Sequence, residues 1–230
     1  MKAIILAAGK ATRLLPLTKE TPQCLLKIKG KTILEHQLDI LSKAGISDVA
    51  VICGHLADKV ESFCKGLGIK TLLNPFYSVS GMAMTLWVAR EELKGGFVLL
   101  YSDILFDPKV INGLLENRAD VCMAIKKGGL REEAEKVVEE SGVIKSITKA
   151  EMEGETGEYI GIAKFSAPGA EKLIEELKEI AKANINTSFI TVIDSLVKKG
   201  VPVSAYDVKG SPFVDIDFPD DLEKAERVVS

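Results

Sequence analysis

Short apolar runs and amphipathic stretches take turns along the first half of this 230-residue chain. Lys2–Leu6, Val49–Cys53, Lys70–Leu73 and Phe97–Tyr101 are brief, apolar and flanked by turn residues, as buried strands are. Between them Leu34, Leu38 and Leu41 share one helical face, with Gly45 as a stop signal. Leu56, Val60, Phe63, Cys64 and Leu67 repeat the pattern and end at Gly68. Met82, Leu86, Ala89 and Leu93 do so again and end at Gly95-Gly96. Strand, helix, strand in succession implies parallel strands joined by right-handed crossovers. The expected fold is therefore α/β: a doubly wound, mostly parallel mixed sheet, Rossmann-like, in three layers. Such sheets bind ligands at the carboxyl ends of their strands.

The second half changes character. Ala119–Ile125, Gly142–Thr148 and Glu158–Ser166 read as strands without full helices between them, which predicts antiparallel pairing. The charged stretch Gly128–Ser141 reads as a solvated loop, with a mobile lid as the alternative. Helices are expected at Ala167–Ala183 and Thr187–Lys199, then a strand at Pro202–Val208 and a short helix from Pro219. No linker or repeat interrupts the chain, so residues 1–230 are expected to form one domain.

Composition removes several function classes. A 47% hydrophobic content supports a substantial core, and a net charge of −3 without long runs of one sign argues against nucleic-acid binding. No stretch approaches the roughly 20 apolar residues of a membrane span. The N-terminus reads as a strand rather than a signal peptide, so a cytoplasmic location is expected. Cys24, Cys53, Cys64 and Cys122 lack C-x-x-C spacing and only two histidines accompany them, which disfavours zinc. Cys53 and Cys64 read as core residues, and Cys24 is the one thiol whose reactivity stays open.

Three constellations carry chemistry. First, the strand Ala3–Leu6 runs into Ala7, Ala8, Gly9 and Ala11, then Arg13. Small residues let backbone N–H groups approach an anion, and a guanidinium fork matches phosphate oxygens. Second, the apolar Leu99-Leu100-Tyr101 ends in Ser102-Asp103, a carboxylate at a strand end. It is placed to hold Mg²⁺ against phosphate, or else simply to start a turn. Third, Asp215 and Asp217 alternate with apolar residues in Val214-Asp215-Ile216-Asp217-Phe218-Pro219. Two carboxylates on one side of a strand repel unless a cation lies between them, so a metal role is expected for both. Asp220 and Asp221 read as helix-start residues.

The full opening string, Leu6-Ala7-Ala8-Gly9-Lys10-Ala11-Thr12-Arg13-Leu14 with Pro16-Leu17-Thr18 and Thr21-Pro22, resembles the signature of sugar-nucleotide-pyrophosphorylase-like nucleotidyltransferases. The Ser102-Asp103 pair and the Asp215–Leu222 string are similar to two further motifs of that family. Within the family the chain looks nearest to cytidylyltransferases acting on phosphorylated alcohols and polyols. The resemblance implies a nucleotide-binding half over about 1–106 and an acceptor-binding half over about 107–230. It implies that the Leu6–Thr12 loop wraps a nucleoside triphosphate, that Arg13 meets the leaving pyrophosphate, and that Asp103 and Asp217 hold Mg²⁺. Backbone groups around Leu6–Ala8 and near Gly54 and Gly81 are expected at the base, the Asn74–Leu86 segment at both base and acceptor, and Glu158 and Gly161 at acceptor hydroxyls. The expected partners are an NTP, CTP being favoured, and a phosphomonoester acceptor. A homodimer is compatible with this, and nothing in the sequence decides it. A sugar-1-phosphate enzyme using UTP, dTTP or GTP is the alternative, and a nucleotide-binding regulatory module the third reading.

Two departures from the family pattern stand out. Ala11 replaces a usual glycine, and Gln23 follows Pro22 where a lysine is usual. One well-placed donor at a transition state is worth roughly 3 kcal/mol. Gln23 is expected to keep a binding role with weakened electrostatics, with Lys10, Lys27 or Lys29 as possible replacements for the missing charge.

Overall fold

The computed structural model describes residues 1–131 and 133–229. After β1 (Lys2–Ala7), two 3-10 turns, Thr12–Leu14 and Gln23–Leu25, lead to the hairpin β2 (Lys27–Ile28) and β3 (Lys31–Thr32). α1 (Ile33–Lys43) starts at a capping box in which Thr32 N donates to Glu35 Oε2 at 2.7 Å and Glu35 N to Thr32 Oγ1 at 3.1 Å. Two orphan N–H groups of the first turn are thereby satisfied. There follow β4 (Val49–Cys53), α2 (Ala57–Gly66), β5 (Lys70–Leu73), α3 (Met82–Val88), α4 (Arg90–Leu93) and β6 (Phe97–Tyr101). Strands β5, β4, β1 and β6 lie side by side and parallel, as the alternation predicts. The expected single helix from Met82 to Leu93 is broken at Ala89.

The second half adds β7 (Ile104–Phe106), α5 (Lys109–Glu116), β8 (Val121–Lys127), β9 (Glu135–Glu140), β10 (Val143–Thr148) and β11 (Gly157–Phe165). It closes with α6 (Ala167–Ala183), α7 (Phe189–Lys198), β12 (Ser204–Asp207), β13 (Phe213–Asp215) and α8 (Pro219–Val228). The main sheet has nine strands in the order β5-β4-β1-β6-β11-β8-β12-β10-β9. β10 and β11 oppose the other seven. β11 is buried along its whole length and joins the halves, pairing antiparallel with both β6 and β8.

The charged stretch Gly128–Ser141 is not wholly a loop. Its latter part is β9, because Val137 is fully buried and ladders to both β10 and β11. The charges flanking Val137 are paired, Lys136 with Glu151 at 2.8 Å and Glu139 with Lys127 at 2.5 Å. Glu132, within this stretch, lies outside the described residues. α5 was not expected, although Val110, Ile111 and Leu114 follow helical spacing and are fully buried.

Alternation along β1 divides the core. Ile4 and Leu6 face α3, α4, α6 and α7, while Ala3, Ile5 and Ala7 face α1, α2 and α5. A third, smaller core joins Leu14, Ile28, Ile33, Leu105, Val214, Ile216 and Ala225. This cluster folds the C-terminal segment back onto the start of the chain. No helix among the described residues is long and apolar enough to cross a membrane.

Candidate active site

A cleft of about 250 Å³ opens at the carboxyl ends of β1 and β6. β1 delivers Ala8 and Gly9 to its rim, and Ala11 sits in the left-handed region at φ 47° and ψ 49°. That conformation is easiest for glycine and accessible to alanine at some strain. Thr18 Oγ1 donates to the Ala11 carbonyl at 2.8 Å and fixes the turn. Arg13 then stands in the first 3-10 turn, whose neighbour Leu14 is fully buried in the third core. Gly54 lies beside this loop, where a Cβ would fall 2.6 Å from Tyr77 Cβ and 2.8 Å from the Ala8 carbonyl. Only glycine lets these three segments meet.

The aspartates reach the cleft from opposite ends of the sequence. β7 pairs antiparallel with β13, setting Ile104 opposite Asp215, and Ile216 N donates to the Asp103 carbonyl at 2.9 Å. Asp221 Oδ2 accepts from the Asp217 and Phe218 N–H groups at 3.1 and 2.8 Å, so the first turn of α8 holds the Asp217 backbone. Carboxylate oxygens of Asp103, Asp215 and Asp217 consequently lie within 4.8 Å of one another. Burial, then the charges of Asp215 and Asp217, push the Asp103 carboxyl well above its usual range. Burial and Asp217 likewise raise Asp215 to about 6, with Arg131 pulling the other way. Asp103 Oδ1 is buried without a hydrogen-bond partner among the described residues. Crowded carboxylates with an orphaned oxygen form an oxygen-only donor set of the kind a hard divalent cation takes.

Two arginines face this cluster. Arg13 pairs with Asp217 and with Glu133, and its guanidinium lies 5.2 Å from the Phe218 ring centroid. Arg131 Nη1 lies 3.4 Å from Asp215 Oδ2, and its Nε donates to Glu158 Oε2 at 3.1 Å. Gln23 lines the cleft from beneath, where its Nε2 donates to the Ile216 carbonyl at 2.5 Å.

The other end of the cleft is aromatic and acidic. Tyr101, Tyr159, Glu135 and Lys149 line it together with Gly81 and Gly161. Tyr101 Oη donates to Glu135 Oε2 at 3.3 Å, and Lys149 Nζ is 3.5 Å from Glu135 Oε1. Burial raises the Glu135 carboxyl despite Lys149 and Tyr101. Gly161, at φ 80°, keeps the wall beside Tyr101 thin.

Leu6, Ala8, Gly9, Arg13, Gln23, Gly81, Asp103, Gly161, Asp215 and Asp217 therefore share one cleft. Ala7, Lys10, Ala11, Thr12 and Gly54 support its rim without lining it. Glu158 departs from expectation. It does not line this cleft but is fully buried behind Arg131, whose Nε donates to it. Cys24 is buried too, and desolvation raises its thiol to about 12, which makes it a core residue. Arg131, Glu133 and Glu135 were missed because their stretch reads as a solvated charge run, and Lys149, just past the strand ending at Thr148, carries no local signal. The buried Val137 within that charge run was the available signal.

A family model described as MobA-like NTP transferase domain matches residues 3–190. The chain is 27% identical to the CTP:phosphoglutamine cytidylyltransferase of Campylobacter jejuni over 252 aligned residues, covering 97% of this chain and 98% of that protein. It is also 27% identical to the choline-phosphate cytidylyltransferase of Streptococcus pneumoniae, covering 100% and 98%. Among solved structures, the inositol-1-phosphate CTP transferase from T. maritima superposes with a TM-score of 0.83 at 20% identity, over 100% and 97% of the two chains, a likeness of fold.

Proposed function

This chain belongs to the MobA-like NTP transferase domain family, and from there we propose that it joins CTP to a phosphorylated small alcohol or polyol, releasing pyrophosphate. The observation that carries the reading is the meeting of Arg13 with Asp103, Asp215 and Asp217 in one cleft at the strand ends. The names of the two full-length relatives favour CTP over the sugar-1-phosphate alternative.

In this reading the Leu6–Thr12 loop offers backbone N–H groups to the triphosphate, and Arg13 leaves Asp217 to steady the departing pyrophosphate. Asp103, Asp215 and Asp217 would hold Mg²⁺, which when bound neutralises phosphate charge and polarises the phosphoryl oxygens. Asp221 keeps Asp217 in position through the Asp217 and Phe218 N–H groups. An acceptor phosphate oxygen forms the new bond to the α-phosphorus, while the bridging bond to the β-phosphate breaks in line. No protein nucleophile takes part, so catalysis rests on positioning and charge neutralisation. The alcohol portion of the acceptor lies toward Tyr101, Tyr159 and Glu135. There the Tyr159 hydroxyl has no hydrogen-bond partner among the described residues.

Pyrophosphate release tests the reading, with each of CTP, UTP, dTTP and GTP against phosphocholine, phosphoethanolamine, inositol-1-phosphate and glucose-1-phosphate. Release is expected with CTP and a phosphorylated alcohol or polyol. Release confined to UTP, dTTP or GTP with glucose-1-phosphate would replace the reading with the sugar-nucleotide one.

A further inference from the structure

The position after Pro22 carries no positive charge, and its amide is already committed to the Ile216 carbonyl. Neither Lys10, Lys27 nor Lys29 lines the cleft, and Lys29 Nζ donates at 2.7 Å to the carbonyl of Val229, which packs against the third core. The cations lining the cleft among the described residues are Arg13, Arg131 and Lys149. Lys149 sits at the acceptor end against Glu135. Arg13 belongs to the opening loop.

Arg131 is different in how it is held. Glu158 is fully buried, yet its Oε2 takes both the Arg131 backbone N–H at 3.3 Å and the side-chain Nε–H at 3.1 Å. Lys126 Nζ stands 3.6 Å from the other oxygen, Oε1, while Oε2 fixes both the backbone and the guanidinium of Arg131. The Phe213 ring, 5.8 Å away, and Asp215 complete the setting. A guanidinium has five N–H donors in a rigid fork, and Glu158 and Asp215 account for only part of that capacity. Glu133, two residues on, reaches Arg13, so one short segment touches both cleft arginines.

We propose that Arg131 binds the reacting phosphates and supplies the positive charge that Gln23 does not, with Glu158 as its positioning residue. This rests on the nucleotidyltransferase reading of the same cleft. Once the carboxylates are turned toward a cation, the Arg131 fork exchanges Asp215 for phosphate oxygens. Charge supplied by Arg131 then stands in for the lysine that the family resemblance leads one to expect after Pro22.

The test has a binding arm and a turnover arm. Calorimetry with CTP and with inorganic pyrophosphate, without acceptor, is expected to show Arg131→Gln weakening both at least tenfold, and Arg131→Lys weakening them less. Steady-state pyrophosphate release is expected to fall about a hundredfold in kcat for Arg131→Gln. Adding Gln23→Lys to that variant is expected to restore at least a tenfold share, since the lysine returns a positive charge to the same cleft. Glu158→Gln is expected to weaken pyrophosphate binding in the parent chain and to have no added effect beside Arg131→Gln. A merely structural role would make the two effects add and would leave Gln23→Lys without rescue. Far-UV circular dichroism and thermal melting establish that each variant is folded, and Arg131→Lys serves if Arg131→Gln is not. Pyrophosphate affinity within threefold of the parent in Arg131→Gln, or no rescue by Gln23→Lys, would overturn the proposal. If the parent releases no pyrophosphate with any substrate pair, the functional reading fails, and the binding arm still decides the role of Arg131.

Discussion

Asp217 has the most demanding position of any single residue. It lies within 4.8 Å of two other carboxylates, pairs with Arg13, and has its backbone held by Asp221. Asp217→Asn removes one oxygen charge without changing shape, so pyrophosphate release is expected to fall at least a hundredfold while the melting temperature stays level or rises. Unchanged turnover would remove Asp217 from the chemistry. The same cluster makes stability depend on pH when divalent cations are chelated. Asp103 and Asp215 titrate higher in the folded chain than unfolded, Asp215 near 6 against its usual 3.8. The folded state therefore binds their protons more tightly, and stability is lost as pH rises from about 4 through 6. For Asp215 alone this amounts to about 3 kcal/mol. The gain in urea stability from Asp215→Asn over the parent in EDTA is expected to be larger at pH 7.5 than at pH 4.5, and added Mg²⁺ is expected to recover the parent's stability at pH 7.5 only. An equal gain, or equal recovery, at both values would contradict the metal assignment. At this scale the sequence was informative for Arg13, Asp103, Asp215 and Asp217, because unusual residue types stood at strand ends. It was silent on Arg131 and Glu135, whose roles depend on which neighbours bury them.

Among the elements, β7 and β13 matter beyond their three residues each, since their pairing sets Asp215 beside Asp103. A ladder so short has no periodicity to read, which is why the approach of the two motifs was legible only through resemblance. The strands of the first half were legible because each is a continuous apolar run between glycine-stopped helices. β9 was not, because its charges are neutralised by partners far along the chain, such as Lys136 by Glu151. Helix α3 offers a test of element placement. A Cβ on Gly81, the residue before it, would lie 2.2 Å from the Thr187 carbonyl oxygen. Gly81→Ala must push α3 away from the loop before α7, at about 1–3 kcal/mol of stability. A lower melting temperature with a raised acceptor KM is expected, whereas parental values for both would show that this contact does not shape the cleft.

For the whole molecule, one sheet with helices on both faces brings motifs from both termini to a single edge. β11 is the seam, buried throughout and antiparallel to strands of either half. Four cysteines lie inside this structure, and burial raises Cys24 and Cys53 to about 12 and Cys64 and Cys122 to about 11. Ellman's reagent is accordingly expected to leave the native chain unlabelled and to titrate all four thiols in denaturant. Fast labelling of a native thiol would contradict the packing described for both faces of the sheet. The layered α/β architecture was readable from alternation alone, while the order of strands in the second half was not, because antiparallel pairings between distant segments leave no local pattern. The central claim is that the cleft transfers a cytidylyl group to a phosphomonoester. Its most direct test is ³¹P NMR of the chain with CTP, Mg²⁺ and a phosphorylated alcohol or polyol acceptor, beside an Asp217→Asn control. The account predicts a new diphosphate-diester pair of resonances growing in step with pyrophosphate, absent in the control. Hydrolysis of CTP without that product, or equal product from the control, would contradict it.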